Sequence, residues 1–148
     1  MRIYLAGPLF TAAERMFNAS LRDELVRLGH EVWLPQDHER ARQTAKQIFE
    51  ADVKAIDNAD VVVANMDGPD PDSGTCWECG YAYGIGKPRV LFRSDFRLAD
   101  KKDRARFNPM LAASGSVRPL NFERKTIRAM AQRIAKGLSS LATKPESR

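Results

Sequence analysis

Three carboxylates and one phenol stand out as groups placed to do chemistry: Asp52, Asp72, Glu78 and Tyr4. From Thr75 to Ile85, Glu78 is the sole charged side chain, and the turn ahead of that stretch carries Asp67, Asp70 and Asp72. A helix apolar all round is normally a buried one, and a carboxylate is rarely buried without a partner or a purpose. Asp52 repeats the anomaly. Ala45, Ile48, Phe49, Val53 and Ile56 predict a core-facing stripe about 140° wide in a helix over 42–58, and Asp52 falls inside it. A structural aspartate bonded to backbone amides is the plain alternative, but the helix end nearby offers few free donors.

Converging acids suit three kinds of chemistry. Calcium binding needs acids at alternate positions followed by a glycine, whereas here prolines interrupt the turn and Gly74 is misplaced. Magnesium-assisted phosphoryl transfer lacks its lysine, because Gly86-Lys87 precedes Pro88 and ends a helix. Glycosyl transfer needs one carboxylate to attack the anomeric carbon and another acid to handle the leaving group. Glu78 suits the first role: placed in the first turn of its helix, it would feel the positive end of the macrodipole and stay ionised. Cys76 and Cys79 form a C-x-x-C, but no other cysteine completes a zinc set, and His30 and His38 lack ligand spacing. They read as packing residues, and no metal or cofactor is implied.

These residues must be held by some fold, and the chain alternates. Short apolar runs at Arg2–Ala6, Glu31–Leu34, Asp60–Asn65, Arg89–Phe92 and Val117–Leu120 predict strands. Between them, Thr11-Ala-Ala-Glu14 is a capping box opening a helix with the stripe Phe17, Leu21, Leu25, Leu28 that ends at Gly29. A short helix over Phe107–Ala113 and a last one near 123–141, striped by Ile127, Met130, Ala131, Ile134, Leu138 and Leu141, complete the series. The reading is an α/β doubly wound parallel sheet of about five strands with helices on both faces. Residues 1–142 form one domain, and 143–148 are a polar tail. Ligands of such sheets bind beyond the carboxyl ends of the strands, where Asp72 and Glu78 lie.

The 148 residues carry a net charge of +5, unevenly. Residues 93–106 hold six Lys/Arg against three acids and 124–148 hold seven against one, so the remainder is net negative. An acidic candidate site with basic charge confined to a loop and a tail argues against a nucleic-acid groove. No run reaches the length of a membrane span, and the N-terminus reads as a strand and loop rather than a signal peptide. A cytoplasmic location is expected.

The residues that set up this chemistry also carry a family likeness. Ile3-Tyr-Leu-Ala-Gly-Pro-Leu-Phe10, Asp52 ahead of Asp60-Val-Val-Val-Ala, and Asp72-Ser-Gly-Thr-Cys-Trp-Glu78-Cys-Gly-Tyr-Ala-Tyr-Gly-Ile-Gly-Lys-Pro88 together resemble the nucleoside 2-deoxyribosyltransferase family over about residues 2–120. The resemblance implies a flavodoxin-like fold and exchange of the base of deoxynucleosides with retention. It makes Glu78 the nucleophile of a covalent deoxyribosyl-enzyme, Tyr4 its polarising partner and Asp52 the acid that protonates the leaving base. It further implies Asp72 on the sugar side, Phe10 lining the base pocket and Gly7 letting the backbone approach it. Asn108-Pro-Met110 resembles an element that a neighbouring subunit donates, so Asn108 and Met110 would act across the interface of a homo-oligomer. The expected partners are small molecules, a deoxynucleoside and a free nucleobase.

The chain departs from that pattern twice. It runs on past the point where some family members place a terminal carboxylate in the site. Asp72 also stands where related monophosphate hydrolases have serine, and its charge disfavours a phosphate. A hydrolase using the same intermediate, and a non-catalytic nucleotide-binding module on the same fold, are the other readings.

Overall fold

The computed structural model describes residues 1–95 and 108–142. Most of the charged segment expected as a loop, the start of the Phe107–Ala113 helix and the 143–148 tail lie outside them. The elements are β1 (Arg2–Ala6), α1 (Ala12–Arg27), β2 (Glu31–Trp33), a 3-10 turn (Pro35–Asp37), α2 (Ala45–Asn58) and β3 (Val61–Asn65). Then follow α3 (Ser73–Gly84), β4 (Arg89–Arg93), α4 (Pro109–Ser114), β5 (Leu120–Asn121) and α5 (Ile127–Ala142). All strand pairs are parallel, in the order β2-β1-β3-β4-β5. This is the expected α/β sheet, with its flavodoxin-like switch of direction between β1 and β3.

Strand alternation sorts the core into two layers. Ile3, Leu5, Val61, Val63, Val90 and Phe92 pack with Leu21, Leu25, Ile134 and Leu138 beneath α1 and α5. Tyr4, Ala6, Val62, Ala64 and Leu91 face the other way and pack with Ala55, Ile56, Cys79 and Ala82 beneath α2 and α3. All of β3 is buried, as a central strand covered on both faces should be, and each such valine contributes about 1.5–3 kcal/mol. Tyr4 therefore shares a layer with the helices that carry Asp52 and Glu78.

Several boundaries differ from the sequence reading, for local reasons. Helix α2 begins at Ala45 instead of 42 because Thr44 and Gln47 form a second capping box. Its front half is not core-facing: Ile48 and Phe49 are exposed. Helix α3 is not buried all round either, since Trp77 and Tyr83 are 47% and 62% exposed while Thr75, Cys79 and Ala82 face the sheet. Phe49, Trp77 and Tyr81 instead cover one another outside, with Trp77 and Tyr81 stacked at 5.4 Å between centroids. Strand β5 pairs at Leu120–Asn121, three residues later than expected, because Phe92 and Arg93 set its register. Helix α5 starts at Ile127 rather than near 123.

Candidate active site

The Tyr4 hydroxyl donates to Glu78 Oε1 at 2.5 Å, a bond between β1 and α3 across 74 positions of sequence. Asp52, on the second turn from the end of α2, also lies within the reach of this hydroxyl, and its negative charge acts on both Tyr4 and Glu78. Sheet register and helix packing make this meeting possible. Tyr4 stands beside Val62 on one side and Trp33 on the other, and its side chain rises into the layer between α2 and α3.

Electrostatics give each group a state. Burial pushes Glu78 up to about 7; the Tyr4 hydrogen bond opposes this, while the charges of Asp52 and Asp72 add to it. Burial likewise raises Asp52, against the Tyr4 bond and the field of His38, with Glu39 acting in the raising direction. Tyr4 is driven upward by burial and then by the two carboxylates, so it stays a proton donor. The expected dipole stabilisation of Glu78 is not what the fold provides. With Asp72 as N-cap, Glu78 lies in the second turn of α3, beyond the reach of the helix terminus, and desolvation wins.

Asp72 itself is the N-cap of α3, where its Oδ2 accepts from the Thr75 amide at 2.8 Å and hydroxyl at 3.0 Å. Its charge still reaches Glu78. Gly7 closes β1, but a Cβ there would meet Asn65 Cβ at 3.2 Å. The missing side chain thus serves the approach of β1 to β3. Phe10 is 76% exposed, and its amide donates to Glu14, which also holds Thr11 in the capping box of α1.

Asn108 caps α4 by accepting from the Met110 amide at 2.9 Å, and Met110 is 80% exposed. Met110 lines a cavity of about 350 Å³ with Cys76, Gly80 and Tyr83. Cys76 and Gly80 are two positions from Glu78, about 200° around the helix. Within one chain, then, Tyr4, Asp52, Asp72 and Glu78 are brought together, and Phe10, Asn108 and Met110 are not joined to them.

The sequence reading missed the lattice that holds the turn before α3. Asp67 accepts from the Ser94 amide (2.6 Å), the Ser94 hydroxyl (2.5 Å) and the Asp95 amide (3.0 Å). Asp95 in turn accepts from the Gly68 amide at 2.7 Å and pairs with buried Arg93. Polar side chains just past the ends of adjacent parallel strands were the available signal. Among the described residues no group of His, Cys, Asp and Glu gathers to hold a metal ion. Both cysteines are free, and burial pushes the Cys79 thiol up to about 12, which leaves it an inert packing group.

Comparison with known proteins gives this cluster a context. The family model for nucleoside 2-deoxyribosyltransferases matches residues 3–135. An uncharacterized protein of Ureaplasma parvum is 37% identical over 100 residues, which span 59% of this chain and 62% of that protein's length. A 2-deoxyribosyltransferase structure from Bacillus psychrosaccharolyticus superposes with a TM-score of 0.68 at 27% identity, covering 88% of this chain and 90% of the other. A conserved protein from Enterococcus faecalis gives 0.73 at 25% identity, covering 93% and 98%. A CMP N-glycosidase from Clostridium botulinum gives 0.62 at 20% identity, covering 92% and 99%, a likeness of fold alone. The chain therefore belongs to the nucleoside 2-deoxyribosyltransferase family, whose enzymes make or cleave glycosidic bonds.

Proposed function

We propose that this protein exchanges the base of 2′-deoxyribonucleosides through a covalent deoxyribosyl–Glu78 intermediate. The observation that carries the reading is the buried Tyr4–Glu78 hydrogen bond with Asp52 beside it, in a chain of this family. A Glu78 oxygen forms a bond to the anomeric carbon as the bond from that carbon to the base nitrogen breaks. The electron pair leaves with the base, and the proton held by Asp52 goes to that nitrogen. The second half runs in reverse: Asp52 takes the proton of the incoming base, whose nitrogen displaces Glu78, and two inversions give retention. Tyr4 donates to the carboxylate oxygen and holds it at one angle. Asp72 closes the sugar side with its cap intact, and the acidity there favours an uncharged nucleoside over a phosphorylated one. No step calls for a metal or cofactor, and the exchange would serve nucleoside salvage.

The exposure of Phe10 and Met110 supports a composite site in which Asn108 and Met110 come from a neighbouring subunit. The same exposure favours a second reading for a lone chain: a site left open admits water, and water in place of a base makes a hydrolase. Chromatography of deoxyinosine with and without adenine or cytosine separates the two. A new deoxynucleoside formed only with acceptor is the expected result, and free sugar irrespective of acceptor would establish the hydrolase. Glu78→Ala should abolish either reaction with its circular dichroism unchanged. An active variant would overturn the mechanism.

A further inference from the structure

The buried face of α3 consists of Thr75, Cys79 and Ala82, and of these only Thr75 carries a hydroxyl. Thr75 is 1% exposed. A valine has nearly the same shape, and a buried hydroxyl is costly unless it is bonded, so the hydroxyl needs a partner of its own. That partner is Asp72. Its Oδ2 accepts from the Thr75 amide at 2.8 Å and from the Thr75 hydroxyl at 3.0 Å. The amide bond alone completes a helix cap; the hydroxyl bond is additional, and it falls on the same oxygen. Among the described residues, Oδ1 accepts no hydrogen bond.

Gly74 bears on that oxygen as well. A Cβ at position 74 would lie 3.1 Å from Asp72 Oδ2 and would meet nothing else within 4 Å. Gly74 is exposed, and alanine in a helix is favoured over glycine by about 0.5–1 kcal/mol, so what the glycine supplies is room for this carboxylate. The backbone of Asp72 is fixed too, its carbonyl accepting from the Cys76 amide at 2.9 Å. We propose that Thr75 is a positioning residue of the sugar side. Its hydroxyl, with the room left by Gly74, keeps Asp72 Oδ2 in the cap and reserves Oδ1 as the acceptor for one hydroxyl of the sugar. A carboxylate with one oxygen tied and the other free makes a contact of fixed direction, which a freely turning one does not. The inference rests on Asp72 facing the sugar in the proposed function.

The test joins crystal structures to calorimetric binding of deoxyinosine, 2′,3′-dideoxyinosine and 2′,5′-dideoxyinosine, in chains that also carry Glu78→Ala so that no turnover intrudes. Thr75→Val removes the hydroxyl and keeps the shape, Thr75→Ser restores the hydroxyl, and Gly74→Ala crowds Oδ2 with both donors in place. Thr75→Val should weaken deoxyinosine binding about three- to tenfold, with the melting temperature nearly unchanged because the cap amide bond remains. That penalty should vanish for the dideoxy analogue that lacks the hydroxyl Oδ1 accepts. Thr75→Ser should bind as the parent chain does, and Gly74→Ala should weaken binding with the same dependence on the sugar. In the crystal structures of Thr75→Val and Gly74→Ala, the Asp72 carboxylate should leave its single position. A carboxylate unmoved in both, or equal penalties for all three nucleosides, would overturn the proposal. A parent chain that binds no deoxyinosine would overturn it together with the sugar-side reading, whereas failed exchange with binding intact would count against the transfer mechanism alone.

Discussion

Glu78 is poised, at the scale of the single residue, between two protonation states near neutral pH. Its folded value of about 7 lies above that of an exposed carboxylate. A nucleophile must be ionised, so kcat/KM for base exchange should rise with pH through a limb near 7, measured with saturating acceptor. Tyr4→Phe removes the bond that holds this value down, so the limb should shift to higher pH while kcat falls. An unmoved limb would show that Tyr4 does not tune Glu78. The same shift has a sign for stability. An acid whose folded value is raised destabilises the fold once pH exceeds its unfolded value, fully so above about 7, and has no differential effect below it. Glu78→Gln is therefore expected to stabilise the protein by up to about 3 kcal/mol at pH 8 and hardly at all at pH 4, read from denaturant melts at both values. Equal effects at the two pH values would contradict the raised carboxyl.

The elements hold these residues by short-range devices, of which some could be read beforehand. The Thr11–Glu14 capping box was legible because it depends on four consecutive residues. Thr44–Gln47 follows the same pattern and starts α2 at Ala45. The stripe of α2 is only partly core-facing, because periodicity identifies an apolar face without saying how far the partner surface extends. Ile48 and Phe49 lie beyond what the sheet covers, and Phe49 meets only the half-exposed Trp77 of α3. The turn that delivers Asp72 to the cap of α3 depends on Asp67, whose three accepted bonds join the ends of β3 and β4. Asp67→Ala should cost about 1–3 kcal/mol by leaving Ser94 and Asp95 donors unpaired. It should also lower kcat/KM with Glu78 in place, checked by thermal melts alongside the exchange assay.

At the scale of the whole molecule, the chain presents large apolar side chains that a lone subunit leaves in water. Phe49 and Trp77 meet on the outer side of α2 and α3, and Tyr83 and Met110 line a separate apolar hollow between α3 and α4. Exposed apolar groups that cluster in this way mark surfaces that another molecule covers. If a second subunit supplies Asn108 and Met110, then Glu78→Ala and Asn108→Ala chains should each be nearly inactive alone. Mixed, unfolded and refolded together, they should regain activity, because one site in a mixed assembly has both residues intact. No recovery in refolded mixtures of verified subunit exchange would place the whole site within one chain.

Taken by itself, the amino-acid order determined the kinds and succession of the elements, the parallel α/β class, and the acids worth watching. Those properties rest on periodicity, capping and turn chemistry, which act over a few residues. Tertiary structure alone decided that Tyr4 meets Glu78 across 74 positions, that burial rather than the helix terminus governs Glu78, and that Asp37 and Glu39 turn to α1 while His38 stacks on Trp33. A proton affinity is a property of surroundings, and those surroundings come from strands and helices joined by sheet register, at distances no local pattern encodes.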